Sequence, residues 1–127
     1  MNLFTHLFLI SCGASLGAMS RHGLTLLLNP LFTFLSFGTL IANYIGCLIM
    51  GIMLAMFWHS SAFSTEYRLF FVTGFLGSLT TFSAFSAEII ENLLQHKWLE
   101  GITITSLHIL GCLFFTTLGV FIWRYFQ

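Results

Sequence analysis

The most informative stretch of this chain is residues 74–88, which read GFLGSLTTFSAFSAE. It belongs to an apolar segment that is long enough to cross a membrane, yet its middle is rich in Gly, Ser and Thr, and Phe82 and Phe85 follow. A bilayer tolerates a loosened helix only where the freed backbone groups are buried in protein or line a water-filled path. The stretch therefore predicts a membrane helix that is broken near its middle, with a functional site at the break.

The composition of the whole chain is that of a polytopic membrane protein. Of its 127 residues, 57% are hydrophobic and 6% are charged, and the mean hydropathy is +0.96. Soluble domains carry about 25% charged residues, so a soluble globule is excluded. The formal net charge is zero, which argues against nucleic acid as a partner. We expect a single transmembrane domain that spans residues 1–127.

Four crossings are predicted, at about residues 3–28, 37–58, 68–95 and 100–125, and we call them the first to the fourth crossing. The turn between the first two is supplied by Asn29 and Pro30. The expected fold is therefore all-α, with four transmembrane helices per subunit and the third helix broken near its middle.

The basic residues do not favour one orientation in the membrane. Arg68 and Arg124 are expected on the side that holds both termini. Lys97 is expected on the opposite side, together with Arg21, which lies at the end of the first helix or inside it. Topology normally follows an excess of Lys and Arg on one side. The balanced count leaves insertion in both orientations and insertion in one orientation equally open. Because four helices enclose little space, a path across the membrane is expected to need a homo-oligomer.

Polar residues within the crossings are candidates for a site, because they are costly in lipid. Asn43 shares a helix face with Thr39, four residues earlier. The amide N–H groups of Asn43 suit an anion, and the alternative is an interhelical hydrogen bond. His108 and Cys112 also share a face, where they can line an ion path. The same pair can hold a soft metal, which is the less favoured alternative because no second pair at metal spacing is nearby.

The three cysteines, Cys12, Cys47 and Cys112, all lie in apolar stretches. We expect them to act as small hydrophobic residues rather than as a disulfide or metal site, since free cysteine is commonly buried in that role.

Phe82 and Phe85 are three residues apart and project from one side of a helix. The positive edge of a Phe ring can contact a bare anion, and the alternative is that both rings are ordinary core residues. Both interpretations expect the two rings to be buried. Ser83 offers a nearby hydroxyl, Glu88 is expected near an aqueous vestibule, and Arg21 is expected to attract anions or to act as a counter-charge.

Three motifs resemble the Fluc/CrcB fluoride channel family. Residues 38–46, GTLIANYIG, and residues 74–86, GFLGSLTTFSAFS, look like the two signatures of that family. Residues 17–21, GAMSR, look like its first-helix signature. The resemblance covers all four predicted crossings and the length of the chain.

The resemblance implies passive export of cytoplasmic fluoride, with strong selectivity over chloride. It implies an antiparallel, dual-topology homodimer in the inner membrane of a prokaryote, with two pores that both subunits line. Asn43, Phe82 and Phe85 would line the path, with the hydroxyls of Ser83 and Thr81 nearby.

The resemblance also implies a structural sodium ion at the dimer centre, held by the main-chain carbonyls of Gly77 and Thr80 from both subunits. The partners would be fluoride, a second copy of the chain and the lipid bilayer. The chain departs from its relatives at Cys112, where they often have serine, and a thiol is a weaker donor than a hydroxyl. His108 lies on the same polar face.

Two other functions are compatible with four short crossings. A small four-helix multidrug or cation exporter needs an acidic residue in the first crossing, and residues 3–28 contain none. A structural membrane protein would not need a broken helix followed by Phe-x-x-Phe. An enzyme is not expected, because the sequence shows no nucleophile and base that would meet in an aqueous cleft.

Overall fold

The computed structural model describes residues 2–33, 35–60 and 62–127, and all regular structure in these ranges is helical. A 3-10 turn follows the first helix at Asn29–Leu31, and a π-helical segment occupies Leu69–Leu76. The α-helices are α1 (Leu3–Leu28), α2 (Phe37–His59), α3 (Thr65–Arg68), α4 (Gly77–Leu79), α5 (Phe82–Leu94) and α6 (Trp98–Phe126).

Four helical spans are long and apolar enough to cross a membrane: Leu3–Leu31, Phe37–His59, Thr65–Leu94 and Trp98–Phe126. The prediction of an all-helical, multi-pass membrane protein is therefore confirmed. The boundaries are also close to those predicted. The first crossing ends three residues later than predicted, at Leu31, and the third begins three residues earlier, at Thr65. Ser64 caps α3 at that point by accepting a hydrogen bond from the Tyr67 N–H.

Glycine residues bring α1 into backbone contact with the third crossing. Gly13 and Gly17 are buried in α1. A side chain at Gly13 would collide with the carbonyl oxygen of Phe70, and one at Gly17 would collide with that of Phe75. The contacted residues belong to the π-helical segment, whose wider turn the sequence analysis did not predict. Such segments occur frequently at functional sites.

The second and fourth crossings pack as parallel helices in a constant register. The Asn43 side chain in α2 lies 3.1 Å from the His108 ring in α6. Eight residues further along both helices, a side chain at Gly51 would collide with the carbonyl oxygen of Thr116. The two helices therefore lie close together over this length. At both contacts, the residue of α6 has a number 65 higher than the residue of α2 that it faces.

Helical structure in the third crossing is interrupted after Leu79. Thr80 and Thr81 have extended backbone, with φ and ψ of −90° and 152° and of −148° and 125°. A new helix, α5, begins at Phe82, and the Thr81 hydroxyl caps it by accepting a hydrogen bond from the Ala84 N–H at 3.2 Å. Threonine is a favoured N-cap residue, so the sequence itself directs a restart at this position.

Candidate functional site

A cavity of about 330 Å³ lies beside the interruption. It is bounded by α2, by the extended residues, by the first turn of α5 and by α6. Most of the residues that the sequence analysis proposed for an ion path lie in its wall. The lining consists of Asn43, Cys47, Thr80, Thr81, Phe82, Phe85, His108, Ile109, Cys112 and Leu113.

The side chain of Asn43 holds the interruption in place. Its Oδ1 accepts a hydrogen bond from the Thr81 N–H at 2.7 Å, and its Nδ2 donates to the Thr81 carbonyl at 3.1 Å. Asn43 is 4% exposed. The interhelical hydrogen bond that the sequence analysis gave as an alternative role is therefore present in the subunit. Because the same amide lines the cavity, the two roles are compatible.

The two ring nitrogens of His108 differ in their hydrogen bonding. Its Nδ1 lies 3.1 Å from Nδ2 of Asn43, whose nitrogen can only donate, so Nδ1 accepts and the ring proton is assigned to Nε2. The ring is 1% exposed, and Nε2 has no hydrogen-bond partner among the described residues. A buried donor without a partner is destabilising. A buried polar group without a partner commonly marks a functional role or the place of an ordered water or ion.

The two aromatic rings predicted for the site contact each other, and one of them stacks on His108. The rings of Phe82 and Phe85 meet edge to face at 4.6 Å between centroids, and Phe85 stacks on the His108 ring at 4.5 Å. Phe85 is 6% exposed, but Phe82 is 73% exposed. The prediction that both rings are buried is therefore wrong for Phe82 in a single subunit. Phe85 is covered by α6, whereas no part of the described subunit covers Phe82.

The remaining residues proposed for the path lie around this centre. Ser83 is exposed, and its hydroxyl is 3.2 Å from the hydroxyl of Thr81. Thr39 is buried one helical turn before Asn43 and does not line the cavity. Arg21 lies well inside α1, where its Nε donates to the carbonyl of Ser78 at 3.0 Å. The structure therefore brings Arg21 to the interruption rather than to the end of its helix.

Glu88 lies in a second, polar cavity of about 340 Å³ at the end of α5. Its Oε1 accepts a hydrogen bond from the Ser36 N–H at 2.6 Å, which joins α5 to the start of α2. Its Oε2 is buried and has no partner in the described part of the chain. Glu91 and Lys97 line the same cavity. This cavity has the polar character expected of a vestibule.

The carbonyls of Gly77 and Thr80 are among those that lose their helical partners at the interruption. In a continuous helix, the carbonyl of Gly77 would accept from the Thr81 N–H and that of Thr80 would accept from the Ala84 N–H. Here the Thr81 N–H bonds to Asn43, and the Ala84 N–H bonds to the Thr81 hydroxyl. Carbonyl oxygens are suitable ligands for a hard cation. The chemistry of Gly77 and Thr80 therefore fits the sodium ion that the resemblance implies.

Cys47 is the polar residue of the cavity that the sequence analysis did not assign to the site. It follows Asn43 by four residues and therefore shares its helix face. That spacing was a usable signal, but Cys47 was interpreted as a hydrophobic residue because its neighbours in sequence are apolar.

Comparison with known proteins identifies one family. The family model described as "CrcB-like protein, Camphor Resistance (CrcB)" matches residues 8–120. A protein of Histophilus somni (strain 2336) named "Fluoride-specific ion channel FluC" is 99% identical over 127 residues, which is 100% of both chains. Proteins with the same name are 70% identical in Pasteurella multocida (strain Pm70) and 47% identical in Dechloromonas aromatica (strain RCB). These matches cover 93% and 87% of this chain, and 92% and 82% of the relatives.

Proposed function

Because this chain belongs to the CrcB-like family, we propose that it is a fluoride-specific ion channel, as its relatives are named. The observation that carries the proposal is the cavity beside the interruption, whose wall combines the rings of Phe82 and Phe85 with His108. A channel moves an ion without making or breaking covalent bonds, so the protein is not an enzyme. The channel exports fluoride passively from the cytoplasm across the inner membrane of a bacterium.

The groups around the cavity favour a small anion that has lost part of its water. The rings offer positive edges, and the His108 ring offers an N–H donor. The α5 helix begins at this point, and the N-terminus of a helix carries partial positive charge. We propose that fluoride passes along this wall, with Asn43, Phe82, Phe85, His108 and Cys112 as its lining. Thr39, Thr81 and Ser83 belong to its polar surroundings, and Arg21 and Glu88 to the approach.

Efflux from liposomes tests the function directly. Vesicles that contain the purified protein are loaded with fluoride or with chloride, and release of each anion is followed with an ion-selective electrode. We expect fluoride to be released and chloride to be retained. A folded protein that retains both anions would refute the proposal. Release that depends on an imposed proton gradient would favour the alternative, a small four-helix exporter.

We further propose that the working unit is an antiparallel, dual-topology homodimer with two pores. Gly77, Phe82 and Ser83 are exposed on the surface of the subunit at the interruption. Backbone hydrogen bonds of the helix are lost at the interruption, and lipid cannot supply new hydrogen-bond partners. A second protein surface is therefore needed. A second copy of the chain can supply that surface and complete the open side of the cavity. Arg21 donates to the Ser78 carbonyl inside the bundle, so the basic residues near the ends of the crossings differ by one between the two sides, which is a weak orientation signal.

Dual topology predicts that the C-terminus is found on both sides of the membrane. In a Gln127→Cys variant, a membrane-impermeant maleimide should label about half of the chains in intact cells and the rest only after lysis. The reason is the weak bias of basic residues near the ends of the crossings. The unsubstituted chain measures the background from its own cysteines. Labelling from one side alone would exclude dual topology.

We propose that Gly77 and Thr80 of both subunits hold a structural sodium ion through their main-chain oxygens. The release of these two carbonyls by Asn43 and Thr81 supports the assignment. A bound cation would supply positive charge close to the path, which offsets part of the cost of dehydrating an anion.

If the sodium site exists, a side chain at Gly77 should remove the stabilisation of the dimer by sodium without disturbing the fold of the subunit. A Cβ at Gly77 would meet its nearest neighbour, the Val72 carbonyl oxygen, at 3.5 Å, which is an ordinary contact. Sodium should raise the unfolding temperature of the wild-type dimer relative to N-methylglucamine. We expect Gly77→Ala to lose this increase and Thr80→Ser to keep it, because the Thr80 side chain is not a ligand. Gly23→Ala, where a Cβ meets nothing within 4 Å, is the matched control. If sodium does not change the unfolding temperature of the wild-type dimer, the proposed sodium site is wrong.

A further inference from the structure

The constant register between α2 and α6 brings two thiols together. Asn43 faces His108, and Gly51 faces the Thr116 carbonyl eight residues later along both helices. Cys47 and Cys112 lie midway between these two contacts, four residues beyond Asn43 and His108 respectively. Residues four apart share a helix face, so the two thiols must point at each other. Both side chains line the cavity.

We infer that Cys47 and Cys112 form a binding site for one thiophilic cation, such as Hg²⁺ or Ag⁺, in the wall of the cavity. Thiolate sulfur selects soft cations. Hg²⁺ and Ag⁺ are satisfied by two sulfur ligands in a linear arrangement, which a pair of facing thiols can provide. Zinc prefers four ligands, and the described residues contain no group of three or more His, Cys, Asp or Glu that could hold a metal.

The thiols are chemically available for this role. All three cysteines of the chain are free, and Cys47 and Cys112 are only partly buried. On binding Hg²⁺, each thiol loses its proton to water, and two S–H bonds are replaced by two S–Hg bonds. No atom changes its oxidation state, so no oxidant or reductant is needed.

An occupied site is expected to obstruct the proposed path. Cys112 is one helical turn from His108, and the two share the cavity with Phe82 and Phe85. A heavy cation between the thiols would therefore narrow the cavity close to the unpartnered His108 Nε2. This consequence rests on the proposed function, whereas binding of the cation does not.

Binding is tested on the purified dimer in detergent. HgCl₂ is titrated while the ultraviolet absorbance of mercury–thiolate bonds is followed, and the intact mass of the complex gives the stoichiometry. We expect one bridging Hg²⁺ per subunit, with affinity at least 100-fold lower in both Cys47→Ser and Cys112→Ser. Cys12→Ser, which removes the thiol in α1, should bind as the wild type does. Wild-type affinity in either of the first two variants would mean that single thiols react, and would overturn the site.

The effect on the path is tested by fluoride efflux from liposomes with and without HgCl₂. Each variant is compared with its own rate in the absence of mercury. Mercury should slow the wild type and Cys12→Ser at least 10-fold, with recovery on addition of dithiothreitol, but should not slow Cys47→Ser or Cys112→Ser. Unchanged wild-type efflux with mercury bound would overturn the obstruction. Absence of efflux before mercury is added would instead refute the proposed function, and the absorbance titration would still decide the binding site.

Discussion

Replacing Phe82 by isoleucine is expected to reduce fluoride efflux by orders of magnitude while the protein still folds and assembles. The ring is 73% exposed on the subunit, so little packing within the subunit depends on it. Shape-conserving apolar substitutions usually cost less than about 1.5 kcal/mol even in a core. An aliphatic side chain of similar bulk has no positive edge, so it leaves only a hydrophobic wall for a partly dehydrated anion.

The matching substitution at Phe85 should reduce efflux as strongly but cost more stability. Phe85 is buried and stacks on His108, so isoleucine also removes that ring contact. Phe→Met and Phe→Tyr should be milder at one or both positions, because a polarisable or polar contact remains. Efflux is measured in liposomes, with size-exclusion profiles to verify assembly.

The control for these ring substitutions is Phe114→Ile, which alters an exposed ring of α6 that does not line the cavity. Its efflux should equal that of the wild type. Wild-type efflux from both Phe82→Ile and Phe85→Ile would mean that the two rings serve packing alone.

Asn43→Asp is expected to abolish efflux in a dimer that still forms. The carboxylate can accept the Thr81 N–H, but it cannot donate to the Thr81 carbonyl or to Nδ1 of His108. It also adds a negative charge to the wall of an anion path, in a region where charges are weakly screened. A carbonyl left without its donor costs about 1–3 kcal/mol, which a stable dimer can tolerate.

The matched control for Asn43→Asp is Asn2→Asp, at the exposed N-cap of α1. The Asn2 Oδ1 accepts a hydrogen bond from the Thr5 N–H at 2.9 Å, and an aspartate keeps that acceptor. This variant should transport fluoride normally. Normal efflux by a folded Asn43→Asp dimer would show that Asn43 only joins the helices.

The four crossings could be predicted because hydropathy over about 20 residues is a strong signal. Helix periodicity correctly grouped His108 with Cys112, but it grouped Asn43 with Thr39, which does not line the cavity. The π-helical segment was not predicted, although the small residues Gly13 and Gly17, through which α1 contacts it, are visible in the sequence.

The partners of polar groups were the least predictable part of the site. Periodicity gives the face on which Asn43 lies, but it does not show that the amide bonds to both backbone groups of Thr81. The exposure of Phe82 was missed for a related reason. A sequence shows that a ring is apolar, but it does not show whether the same subunit or another surface covers it.

The pairing of Asn43 with Thr81 has a consequence for biogenesis. Thr81 follows Asn43 by 38 residues. The ribosome therefore delivers the second crossing to the membrane before it has synthesised Thr81, whose backbone pairs with the Asn43 amide. An unpaired amide disfavours release of a helix into lipid. The second and third crossings are therefore expected to leave the translocation machinery together as a helical hairpin, with the interruption forming as the pair enters the bilayer.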